Sequence, residues 1–281
     1  MNPFFYDVLR VLRNRGVLVL VVLTSLLALV ALTIYDVLSA PGSPAQASED
    51  TVVVVLIMGM IYAFFVPILG IQTGYATYAR DHATGVLESI LVRPISRSRL
   101  ILSRYLAVVV ASAAAIACAL LFLDALNLLE TGYALPADQL VGLYGALLAE
   151  AVSFAGVLFL IAHLLRSPGA ILGSAVVVFV LIDVVWFFLL FFLGIIPLFT
   201  AGSSGVKTEA MTRIVELEYS DPAGLPFLAL VEVQGGFFGG FIRPPGGLAS
   251  VGLTPAGLIL AGLFWSLLPF LLAFVLARKR D

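Results

Sequence analysis

Charge is what this sequence lacks most. Only 11% of its 281 residues are Asp, Glu, Lys or Arg, where a soluble domain carries about a quarter because a water-facing surface has to be solvated. The charges fall in short clusters between long apolar runs, and 62% of the chain is hydrophobic. At roughly 20 residues per bilayer crossing, six crossings take about 120 to 140 residues and leave no room for a soluble catalytic domain of ordinary size. Cysteine is nearly absent. Cys118 alone, inside an apolar run, excludes an intrachain disulfide and argues against a cysteine metal site. Histidine is limited to His82 and His163, and no His-Glu-x-x-His occurs, so a metalloprotease-like site lacks ligands. A Ser–His hydrolase fails on spacing, since Ser153 and His163 stand ten residues apart on one helix, about 15 Å.

The apolar runs predict an all-α integral membrane protein with six transmembrane helices, a single transmembrane domain over 1–281. The spans are expected at about 16–38, 51–79, 100–123, 139–165, 169–193 and 256–277. Ahead of the first, residues 1–15 form an amphipathic segment, with Phe4, Phe5, Val8, Leu9 and Leu12 against Asp7, Arg10 and Arg13. The first apolar run is too long for an ordinary signal core and reads as a retained anchor. Twelve of the fifteen basic residues fall on one side of this layout: Arg10, Arg13 and Arg15, then Arg80, Arg93, Arg97, Arg99 and Arg104, then Arg166, then Arg278, Lys279 and Arg280. Basic short loops stay in the cytoplasm, so both termini and segment 80–99 are expected there. A plasma-membrane, multi-pass location follows as the expectation.

The 197–255 stretch is expected outside. Its 204–219 part has helical spacing, with Val206, Ala210, Ile214 and Leu217 on one side and Lys207, Glu209, Glu216 and Glu218 elsewhere. After Asp221-Pro222 comes an apolar piece, 225–233, then a glycine and aromatic run, 235–241. These pieces are apolar but too short to span, which predicts short helices on or dipping into the outer leaflet; a loop that merely caps the bundle is the plainer alternative.

Segment 80–105 carries the most information. Thr84 is a plausible N-cap for a short amphipathic helix with Val86, Leu87, Ile90 and Leu91 on one face and Glu88 off it. Pro94 disfavours helix at Arg93, and Ser96 opens the next helix. An exposed charged knob joined to two spans suits the receipt of force from a cytoplasmic partner; an interfacial loop obeying the charge rule fits the same residues. Asp81, Thr84, Gly85, Leu87, Glu88, Pro94, Ile95, Ser96, Arg97 and Arg104 together resemble the corresponding segment of ABC-2-type permeases, the membrane subunits of ATP-driven exporters. Asp81 stands where that family usually has Glu, and Arg104 where it usually has Lys; both keep the charge. The resemblance implies that 85–93, including Leu91 and Arg93, is a coupling helix that docks in a groove of a separate cytoplasmic ABC ATPase. It also implies two permease subunits, identical or homologous, served by two ATPases, with ATP and Mg held there and no cofactor on this chain. The nearest approach to a phosphate loop, 202–208, has Val206 where the glycine before Lys207 is needed, so no catalytic residue is expected, nor a nucleic-acid partner.

Glu150 and Asp183 lie about 18 to 21 Å into spans four and five, with no Lys or Arg at comparable depth. Intramembrane carboxylates are costly and face a bundle interior or a wet cavity. They read either as a pathway pair or as a polar contact between the two spans. Gln72 and Tyr75 on span two are further pathway candidates. Gly70-x-x-x-Gly74 and Gly169-x-x-x-Gly173 allow close helix approach, within a subunit or at a dimer seam. Two other functions stay open: a secondary carrier or channel using Glu150 and Asp183, and a non-transporting mechanical subunit driving an extracytoplasmic partner through 197–255. Nothing in the residues names the substrate.

Overall fold

A computed structural model describes residues 3–38, 44–87, 96–132, 134, 136–200, 202, 204–236 and 242–278. In chain order the helices are α1 (Pro3–Leu12), α2 (Arg15–Leu38) and α3 (Pro44–Gly74), the last passing through a π-helical turn, Tyr75–Ala79, into α4 (Arg80–Ala83). Then come α5 (Arg97–Thr131), α6 (Ala137–Leu164) and α7 (Pro168–Phe179). The chain continues through a π-turn, Val180–Val185, into α8 (Trp186–Leu190) and through a second, Phe191–Ile195, into α9 (Ile196–Thr200). The short α10 (Ser204–Tyr219) and α11 (Gly224–Val233) precede the final α12 (Pro255–Arg278). No β-strand occurs among the described residues.

Five stretches among the described residues are long and apolar enough to cross a membrane: Gly59–Ala83, Arg97–Leu129, Ala137–Leu164, Pro168–Thr200 and Pro255–Arg278. The expected first span coincides with the 24-residue α2, whose fully described part, Arg15–Leu27, is apolar but shorter. Helix α3 already starts at Pro44, ahead of the start expected for the second span at about 51.

The sequence explains the hub. Along α6, Leu147, Ala151, Ala155, Leu158, Phe159 and Ala162 are fully buried, and small residues alternate with large ones along that face. In a bilayer, burial of apolar surface does not drive helices together, so close van der Waals contact must do it, and small residues permit it. Gly70 of α3 lies directly on the Ala151 carbonyl, and Gly74 fits against Ala155 and Leu158. That settles the first glycine pair as packing within the subunit. Gly156 meets Pro269 and Phe270 of α12 in the same way, and Tyr105 stacks on Phe270 at 3.7 Å between ring centres. The second glycine pair behaves differently: nothing approaches Gly169 or Gly173. Only 6% of the apolar stretch of Pro168–Thr200 is buried, against 67% for α6, so this arm stands at the edge of the subunit.

Helix α1 does more than lie along the bundle. Asp7, Val8 and Val11 are buried against it while Phe5 and Tyr6 stay exposed. Val11 joins the same core as Val17, Leu69 and Ala115, which fixes α1 at the end of the bundle where α4 finishes and α5 begins.

Candidate functional site

The π-turn at the foot of α3 inserts one extra residue into the helical register and re-aims the residues that follow. Asp81, 5% exposed, is thereby turned toward two guanidinium groups. Arg10 of α1 donates from Nη1 to Oδ2 at 2.8 Å and from Nη2 to Oδ1 at 2.9 Å. Arg104 of α5, 3% exposed, donates from Nη1 to Oδ2 at 2.6 Å and to the Thr77 carbonyl inside the π-turn. One carboxylate therefore ties together the N-terminal helix, the end of one span and the start of the next. Bidentate pairing of this kind is strong and geometrically specific. The hydrogen bonds from Arg10 to Asp81 raise the guanidinium pKa of Arg10. Asp7 is raised as well, because burial outweighs the nearby Arg104 and Arg10. Asp81 and Arg104 were two of the ten residues of the family resemblance, and the fold makes them direct partners.

Thr84 is the C-cap of α4, and the helix it is expected to open lies mostly outside the described residues. The Thr84 hydroxyl donates to the Arg80 carbonyl at 2.9 Å, and Gly85, at φ 73°, ends α4 in the left-handed conformation that glycine accepts without steric cost. Leu87 is 6% exposed and packs with Ile101 and Tyr105. Arg97 opens α5 on the surface, with Ser96 as N-cap accepting from the Arg99 N–H. Glu88, Leu91, Arg93 and Pro94 lie outside the described residues. Of the two other candidates on this span, Gln72 packs its amide against Gly16 of α2, and Tyr75 packs on the core around Tyr78 and Phe159.

Deeper in the bundle, Glu150 is completely buried, and neither carboxylate oxygen has a hydrogen-bond partner among the described residues. Asp183 lies in the first π-turn of the outer arm, with Oδ2 also unpartnered. The polar contact weighed for spans four and five is therefore not a hydrogen bond. Two acids missing from the sequence-level candidates belong to the same neighbourhood. Glu218 in the last turn of α10 and Asp221 in the turn to α11, each 5% exposed, interact electrostatically with Glu150 and Asp183. Burial pushes the Glu218 carboxyl up to about 8, with Asp221 and Asp183 adding to it. Asp221 rises to about 7 by burial, although the Ala223 N–H donates to it.

The buried stripe of α10 is Ala210, Met211, Ile214, Val215 and Glu218, while Val206 is exposed. The helix is thus rotated from the expected face, and Glu218, expected off that face, is on the buried side. Gly224 lets the turn close on Glu218. Helix α11 then runs along the N-terminal half of α6, Leu230 packing with Leu143 and Leu147 and filling the space over Gly59. Among the described residues no group of three or more His, Cys, Asp and Glu is placed to hold a metal ion.

Apolar helices long enough to cross a bilayer, with an ion-pair network at one end of the bundle, define a polytopic α-helical membrane protein. Residues 5–281 match the family described as ABC-2 family transporter protein, and the chain belongs to that family. It is an integral membrane protein of the permease type, a class whose members are membrane subunits that work with an ABC ATPase. No curated protein matches the chain.

Proposed function

We propose that this chain is the membrane-spanning half of an ATP-driven exporter. Helix α2 is its first of six spans, and both termini and segment 80–99 lie in the cytoplasm of a plasma-membrane protein. Two such subunits, identical or homologous, pair with two cytoplasmic ATPases that hold the ATP and Mg. Closure of the ATPases pushes on 85–93, and the push switches the pathway for an unidentified substrate. The observation that supports this reading is the Arg10–Asp81–Arg104 network at the residues that lead into that segment. A load on a loose loop would be lost in rotamer motion; a load on three elements pinned to one carboxylate moves them together.

Two experiments test it. A gentle-detergent pull-down of the tagged chain from native membranes should bring down a stoichiometric soluble protein bearing a Walker A motif. Glu88→Arg should abolish ATPase association and stimulation while leaving the permease folded; unchanged association and stimulation in that variant sinks the proposal. The unpartnered Glu150 and its acidic neighbours favour a second reading, a carrier driven by protons or cations. Proton-coupled flux in proteoliposomes containing this chain alone would favour it over the first.

A further inference from the structure

A second polar feature lies at the same end of the bundle. A cavity of about 520 Å³ opens between residues 78–87, the start of α5 and the ends of α6 and α12. Its lining includes His82, Arg97, His163 and Arg166, and none of the described residues lining it is acidic. Arg97 and Arg166 are exposed at its mouth, whereas His163 is buried, held by Tyr78 Oη at 2.9 Å from Nε2 and by the Phe159 carbonyl at 2.7 Å from Nδ1. Its floor is apolar, with Leu87, Leu100, Ile101 and Ala277. Directly beside it in sequence, Leu102 is 43% and Leu164 66% exposed, so the basic mouth borders a lipid-facing apolar surface.

We infer that this cavity binds the phosphate headgroup of an anionic phospholipid, with Arg97 and Arg166 gripping the phosphate and the acyl chains leaving along Leu102 and Leu164. Three observations favour a lipid over a soluble anion. The site lies at the ends of membrane-crossing helices, basic pockets there are where anionic headgroups are held, and the rim continues into apolar side chains instead of water. Guanidinium groups match phosphate oxygens in pairs. A headgroup bound there would bridge the start of α5 to the ends of α6 and α12. The inference uses the cytoplasmic orientation proposed above only to say which leaflet supplies the lipid; binding itself is measured in detergent, independently of orientation and of any ATPase.

The test is the melting temperature of the full-length chain, delipidated in detergent, with phosphatidylglycerol or phosphatidylcholine added, together with native mass spectrometry of retained lipid. Phosphatidylglycerol should raise the midpoint by several degrees and stay bound through desolvation, and phosphatidylcholine should do neither. The Arg97→Gln/Arg166→Gln variant should lose more than half of that shift while melting normally in phosphatidylcholine. The Arg13→Gln/Arg15→Gln variant, altered at exposed cytoplasmic-side bases away from the cavity, should keep it. Equal shifts from the two lipids, or an undiminished shift in the Arg97/Arg166 variant, overturns the inference. Inorganic phosphate reproducing the full shift would overturn the lipid assignment and make this a soluble-anion site.

Discussion

Replacing Asp81 by asparagine removes the negative charge on which two guanidinium groups converge. Arg104 is then a buried cation, 3% exposed, whose acceptors are the Thr77 carbonyl and at most a neutral amide oxygen at position 81, with no carboxylate to balance its charge. Breaking one partner of a buried pair costs about 3 to 5 kcal/mol, because the remaining charge is stranded. Arg10 adds at most about 1 kcal/mol, since its side chain is 31% exposed and rehydrates. Asp7 lies near Arg104 and takes up part of the loss, so the net effect falls near the low end, about 3 kcal/mol. At about 2 to 4 °C per kcal/mol, the detergent-solubilised protein should melt roughly 6 to 12 °C lower. Arg104→Met in the same background removes the stranded charge, so the double variant should lose at least about 1 kcal/mol less than the sum of the two single losses. Thermal melting followed by size-exclusion fluorescence reads all four proteins, and hydrogen exchange should show α1 released in Asp81→Asn. A melting point within about 2 °C of the parent, or strict additivity in the cycle, refutes the role given to this network.

Three further outcomes follow from the packing and the acids. Gly70→Ala should lower stability by about 1 to 3 kcal/mol, because its methyl would run into the Ala151 carbonyl. Gly173→Ala, with open space around it, should be neutral or slightly stabilising for the single subunit by the same melting assay. Glu218 titrates near 8 when folded and near 4.5 when unfolded, so the folded state holds its proton through that window. Its contribution to stability should therefore fall as pH rises from about 4.5 to about 8, by on the order of a few kcal/mol, and level off above; melting curves at pH 6 and 8.5 should separate in the parent and lie closer together in Glu218→Gln, with Asp221, raised to about 7, supplying part of what remains.

Much of this protein was legible from residues alone, because the bilayer imposes a simple rule. Each span must be apolar over its length and must satisfy its backbone internally, so runs such as 139–165 and 256–277 announce themselves, and short-range spacing also found α10 and α11 within a residue. Segment 80–105 could be singled out for the same kind of reason, its charges and its proline standing at fixed local offsets. Tertiary structure alone decided which charges meet. Asp81 is 71 residues from Arg10 and 23 from Arg104, and the π-turn that aims it has no sequence mark of its own. The same holds for Glu218 and Asp221, which an outer-loop assignment leaves in water and which the turn at Gly224 carries into the neighbourhood of Glu150. Gly70 and Gly169 head identical spacing patterns, yet only the first has a helix against it. Periodicity is a property of one helix, whereas contact requires two, and the partner is chosen by how the whole bundle packs.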